Sequence, residues 1–219
     1  MRVVVLDDSR RGFRRAGAVV AGRGPARVRV RLRIAPLLPL WFVALLAGAG
    51  AIAAAEEPVW EALRTPGAVV VLRHSYAPGA FDPPDAKLED CSTQRNLDEN
   101  GQAQARHVGE AFQQHGVTVG AVLSSPRCRC LDTARLAFGQ VQSWEPLQGA
   151  LNDADLRRRR VAEIKQRIAA HQSGPPLVLV THGSVVTDLT GLSIRMGGFV
   201  VLRRGPDGSH SVAGQLYVE

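Results

Sequence analysis

The chain has 219 residues, enough for one domain with a sizeable core and an appended segment. Its formal net charge of +7 would suit an anionic partner, but residues 1–55 carry ten Arg against Asp7 and Asp8, whereas residues 56–219 carry 17 Lys plus Arg against 18 Asp plus Glu. The basic excess belongs to the N-terminal segment, so charge excludes a nucleic-acid-binding domain, and any basic site in the remainder must be local.

Residues 1–26 are rich in Arg, Gly and Ala and show no sustained apolar period. They are expected to be disordered, or to be an extension upstream of a start near Val28, since Met1 and Met196 are the only methionines. Residues 27–55 have a basic flank from Arg27 to Arg33, an uncharged apolar run from Ile34 to Ala55, and Ala51, Ala53 and Ala55 just before Glu56. That order is the order of a secretory signal peptide. The alternative is an uncleaved anchor in the inner membrane, because about 20 apolar residues can span a bilayer. The first reading predicts a soluble periplasmic protein beginning between Ala54 and Glu57. The second predicts membrane contact through the apolar segment.

Residues 56–219 are one domain's worth of chain. "AVVVL" (68–72) reads as a buried strand, followed by a loop rich in Pro, Asp and Gly. From Asp98 to His115 apolar residues recur at helical spacing through Ala103, His107, Val108, Ala111 and Phe112, with Asp98 as N-cap and Gly116 as stop. "AVLSS" (121–125) is a second strand, and Pro126 suits the first turn of a helix running to about Phe138. "DADLRRRRVAEIKQRIAAHQ" is an amphipathic helix with a solvated basic face. "PLVLVTHG" (176–183) is a third buried strand, and the chain closes in a hairpin around Pro206, Asp207 and Gly208. Short continuous apolar strands alternating with helices predict an α/β three-layer sandwich, a mostly parallel central sheet with helices on both faces.

Open α/β sheets bind ligands beyond the carboxyl ends of their strands. The first strand ends at Arg73-His74. The second ends at Ser124-Ser125-Pro126, with Arg129 close behind. The third ends at Thr181-His182-Gly183. Each residue alone has an ordinary structural explanation. Together, on neighbouring parallel strands, two Arg and two His converge on one pocket that suits phosphate, with helix N-termini pointing free N–H groups the same way. His107, His115, His171 and His210 are read as structural or exposed.

"LRH", "RNLDENGQAQA", "LSSPRCRCLDTA" and "VLVTHG", in this order and spacing over residues 68 to about 190, resemble the histidine phosphatase superfamily, in its phosphoglycerate mutase-like branch. "DCSTQRNL", "CRC" and the A-P-G after the first His resemble exported bacterial members. The resemblance implies that His74 is the nucleophile that becomes phosphohistidine, that Arg73 and Arg129 clamp the phosphate, and that His182 hydrogen-bonds the transferring group. Arg95 is a candidate third clamp residue, or a partner of Asp90 or Glu89. Arginine forks match phosphate oxygens and stay charged, so neither metal nor cofactor is expected.

The chain departs from the mutases, which read R-H-G-E where this one has Arg73-His74-Ser75-Tyr76, and Ala80 replaces the family Asn. A hydrolase is therefore expected: a phosphomonoesterase acting on a small exported or envelope phosphate ester, such as a sugar phosphate. The alternatives are a phosphoprotein or phosphohistidine phosphatase, and an inactive module that binds a phosphorylated ligand. Family phosphatases often place a proton-donating carboxylate between the T-A helix and the last strand. Glu145, Asp153 and Asp155 lie there. Glu145 suits a local pair and Asp155 the N-cap of the basic helix, which leaves Asp153 as the candidate acid. In an oxidising compartment Cys91 is expected to pair with Cys128 or Cys130, pinning its loop beside the pocket. The natural substrate and the oligomeric state stay open.

Overall fold

A computed structural model describes residues 57–150 and 152–218, so the expectations for residues 1–55 lie outside the described part. The apolar runs become strands that need both of their faces covered. In β1 (Val69–Arg73), Val70 and Leu72 join a core with Trp60, Phe112 and Phe199, while Val69 and Val71 point the other way, to Leu123, Ile164 and Ile168. One strand with two apolar faces requires helices on both sides of the sheet.

Helix α1 (Glu99–Gln114) and helix α2 (Cys128–Phe138) cover the first face, together with a short helical segment at residues 57–63. Helix α3 (Ala154–Ala169) and helix α4 (Gly183–Thr190) cover the second. The other strands are β2 (Val122–Ser124), β3 (Gln142–Ser143), β4 (Leu177–Thr181), β5 (Gly198–Arg204) and β6 (His210–Tyr217). Their order is β3-β2-β4-β1-β5-β6; the first four are parallel, and β5 and β6 form an antiparallel hairpin on the far edge. The three-layer α/β sandwich expected from the sequence is the fold found.

The α1 boundaries follow their signals. The Asp98 carboxylate accepts from Gly101 N at 2.8 Å, and Gly116 ends the helix at φ +65°. Its buried face is Ala105, Val108, Ala111 and Phe112, whereas His107 is exposed, so the stripe is rotated from the one expected. Gly101 allows a close approach: a Cβ there would lie 1.9 Å from the Tyr76 carbonyl oxygen, just beyond the end of β1. Pro126 is not in the first turn of α2; it precedes the N-cap, Arg127.

β2, β4 and β1 are neighbours in the sheet and run the same way, so their carboxyl ends emerge together. The ladder continues past them, with His74 N donating to Thr181 O and Ser125 N to Val180 O, both at 2.9 Å. Placement of the site is thus a consequence of the strand register.

Candidate active site

A cleft of about 430 Å³ opens at these strand ends. Arg73, His74, Arg95, Arg129 and His182 all line it, so five of the six expected site residues meet there. The sixth does not. Asp153 is absent from the cleft wall and is the N-cap of α3, its carboxylate accepting from Leu156 N at 2.9 Å. Asp155, expected to be that cap, pairs instead with Arg158, and Glu145 pairs with Arg160.

His74 is buried at the foot of the cleft, 2% exposed. Its Nδ1 lies 2.8 Å from the Ser75 carbonyl oxygen. A carbonyl can only accept, so Nδ1 carries the proton and Nε2 keeps the lone pair. Burial above all pulls the imidazole down to a pKa of about 3; the bond to Ser75 opposes this, and Arg129, Arg95 and Arg73 add to it. The ring is neutral across the physiological range.

The S-x-x-x-R-x-x-x-T-A block has a mechanical explanation. Thr133 Oγ1 accepts from Ser75 N at 3.0 Å and donates to Arg129 O at 2.7 Å, which ties the residue after His74 to the helix that carries the clamp arginine. Ser125 Oγ accepts from His182 Nε2 at 2.9 Å and from Arg127 N at 3.3 Å. His182 Nδ1 faces the Arg129 guanidinium at 3.5 Å, so it is the accepting nitrogen. Burial, then Arg129 and His74, keep the His182 pKa well below its usual value. The two imidazoles stand 5.5 Å apart, centroid to centroid.

Four arginines surround this pair. Arg73 donates to Ile194 O at 2.8 Å. Arg95 donates to the carbonyls of Ala77 and Gly79 at 2.7 and 2.8 Å, in place of the expected pairing with Asp90 or Glu89; Asp90 instead accepts from Ser92. Arg127, which sequence reasoning missed, lines the cleft beside Arg129. Arg73 Nε, Arg95 Nε, Arg129 Nε and Arg127 Nη1 are buried with no hydrogen-bond partner among the described residues. Buried cationic donors left unpaired are costly, and a bound oxyanion satisfies them. Gly183 follows from the same crowding: a Cβ there would stand 3.2 Å from Arg73 Cζ.

The second residue missed is Asp82, the one carboxylate on the cleft wall among the described residues. It accepts from Arg129 Nη1 at 2.8 Å and from Arg95 N at 3.0 Å, and lies 3.7 Å from Arg127 Nη1. Burial alone would raise its carboxyl, but the Arg95 N–H and the Arg129 guanidinium outweigh it and hold the group below the usual carboxylate range.

A disulfide joins Cys91 to Cys128 and settles the open pairing; Cys130 is free and buried, its Sγ 3.7 Å from His182 Nε2. Gln94 Oε1 accepts from Cys128 N at 3.1 Å at the same junction. The loop carrying Asp82 and Arg95 is thereby fastened to the start of α2, which carries Arg127 and Arg129. Among the described residues no His, Cys, Asp and Glu are grouped as a metal site, and no helix is long and apolar enough to cross a membrane.

Residues 85–150 match the model of the histidine phosphatase superfamily, branch 1. No curated protein matches the chain. Among solved structures, the chain is similar to the protein histidine phosphatase SixA complexed with tungstate, at 18% identity and a TM-score of 0.51, over 68% of this chain and 96% of that one. It is similar also to the phosphoserine phosphatase of Entamoeba histolytica in complex with 3-phosphoglyceric acid, at 13% identity and 0.53, over 69% and 98%. A third is the open reading frame Rv3214 protein of Mycobacterium tuberculosis, at 16% identity and 0.53, over 69% and 97%. At these identities the structures share a fold, and the fold agrees with the family match. Residues 85–150 thus resemble the histidine phosphatase superfamily, and the described domain has the fold of these structures.

Proposed function

We propose that the protein is a phosphomonoesterase that works through a phosphohistidine at His74, without a metal. The observation that carries this reading is the state of His74: a neutral imidazole, with Nδ1 committed to Ser75 O and Nε2 free, at the foot of a cleft lined by four guanidiniums.

In the first step the Nε2 lone pair attacks phosphorus and the P–O ester bond breaks, its electron pair leaving on the ester oxygen. Negative charge on the equatorial oxygens in flight is met by Arg73, Arg95 and Arg129, and His182 lies beside them. In the second step water attacks phosphorus, the P–N bond breaks, its electrons return to Nε2, and the water proton passes to solvent as orthophosphate leaves. Fixed guanidiniums supply the positive charge that a metal supplies elsewhere, which supports metal independence. Asp82 positions the clamp by holding Arg129 and the Arg95 backbone in one geometry.

The natural substrate is proposed to be a small phosphate ester outside the cytoplasm. The support is the basic-then-apolar order of residues 27–55. The test is hydrolysis of p-nitrophenyl phosphate by the full chain with EDTA present. Turnover is expected, and its loss in His74→Ala. Turnover that vanishes with EDTA contradicts metal independence, and no turnover by the unmodified chain favours a phosphate-binding module instead.

A further inference from the structure

The cleft has one wall that phosphate chemistry does not explain. Phe81 lines it and is 80% exposed, the most exposed large apolar side chain among the described residues. No aromatic ring among the described residues pairs with it. Burying such a ring is worth about 1.5–3 kcal/mol, so a phenyl left unpacked on the cleft wall offers that area to a ligand.

The loop around Phe81 is held on both sides. Gly79 O accepts from Arg95 Nη1, and the Asp82 carboxylate accepts from Arg95 N and Arg129 Nη1. The ring is presented from a fixed backbone, one residue from a carboxylate that touches the phosphate clamp. The ring and the clamp thus line one cleft, where an apolar group attached to the transferring phosphoryl group would share the space with the ring, and a preorganised ring loses little freedom on stacking.

A second observation bears on the leaving group. Asp82 is the cleft's one carboxylate among the described residues, and the Arg95 N–H it accepts from, with its pairs to Arg129 and Arg127, keeps it deprotonated. It has no proton to give a departing alkoxide. Esters of alcohols are hard to cleave without such a donor, whereas a phenolate, the anion of a group that ionises near pH 10, departs and takes its proton from solvent afterwards.

Building on the phosphatase reading, we propose that the substrate class is a small aryl phosphomonoester, whose ring stacks on Phe81 and whose phenolate leaves without a general acid. The cleft volume of about 430 Å³ is that of a small-molecule site rather than a peptide groove.

Three esters test this with the full chain: phenyl phosphate, a fluorinated alkyl phosphate matched to it in leaving-group acidity, and glycerol 3-phosphate. Phenyl phosphate is expected to exceed the matched fluoroalkyl ester in kcat/KM by about three- to tenfold, the range of one aromatic contact. Phe81→Ala should bring that ratio to about one. Glycerol 3-phosphate should be slower than phenyl phosphate by at least about a hundredfold, the worth of a missing general acid. Equal rates for the two matched esters, a ratio that survives Phe81→Ala, or glycerol 3-phosphate within tenfold of phenyl phosphate would each overturn the inference while leaving a phosphatase in place. A phosphotyrosyl peptide turned over faster than phenyl phosphate would overturn the small-molecule assignment. Hydrolysis of none of them would overturn the phosphatase reading itself, and this inference with it.

Discussion

Breaking the Cys91–Cys128 bond should damage stability and phosphate handling together. The bridge closes a sequence separation of 37 residues, for which loop-closure entropy predicts about 4 kcal/mol of stabilisation. In a domain of this size each kcal/mol moves the melting temperature by about 2–4 °C, so Cys91→Ser is expected to lower Tm by about 8–15 °C. The closed loop carries Asp82's partner Arg95, and the far cysteine lies between Arg127 and Arg129. Releasing it should therefore also raise KM for p-nitrophenyl phosphate by about three- to tenfold, because the clamp is no longer held in one geometry. The assay is thermal unfolding by circular dichroism alongside steady-state kinetics, for the variant and for the unmodified protein with and without reductant. A Tm change under about 2 °C with KM unaltered would refute the idea that the bridge organises the cleft. A full Tm loss with KM unaltered would confine its role to stability.

Two further outcomes follow from the same geometry. Gly183→Ala puts a methyl group 3.2 Å from Arg73 Cζ, so Arg73 must shift; KM should rise about tenfold while the urea midpoint stays nearly constant, and an unchanged KM would show that Arg73 is not part of the clamp. Stability should also fall with acid. The unfolded chain protonates His74 near pH 6.5, but the folded chain resists until about pH 3, and His182 is depressed in the same direction. Between those limits the unfolded state binds more protons, so stability is intact above about pH 6.5 and declines as pH falls, by up to about 1.4 kcal/mol per pH unit for each histidine. Urea midpoints at pH 7 and pH 5 check this, and equal midpoints would contradict buried neutral imidazoles.

The sequence made visible what depends on strand direction. Arg73, His74, Arg129 and His182 stand at or just after the ends of apolar runs, and parallel pairing of β2, β4 and β1 brings those ends together whatever the loops do. Asp82 and Phe81 stayed hidden for the converse reason. Asp82 meets Arg129 across 47 residues of chain, and the path between them is fixed by a disulfide, by Gln94 and by backbone contacts that follow no periodicity. The exchange between Asp153 and Asp155 is of another kind. Two carboxylates two residues apart could each cap α3, and a shift of the helix start by two residues decides which one does. Arg127 had a readable signal, since it follows Pro126 at the same strand end as Arg129.

Transfer of the phosphoryl group to His74 Nε2 leaves a covalent intermediate that can be trapped. In a rapid acid-free quench of the full chain with a radiolabelled phosphate ester, label should appear on His74 with the acid lability and alkali stability of a phosphohistidine. It should accumulate in His182→Ala and be absent from His74→Ala, which should also lose hydrolysis. Label on another residue, or substantial turnover by His74→Ala, would contradict the account.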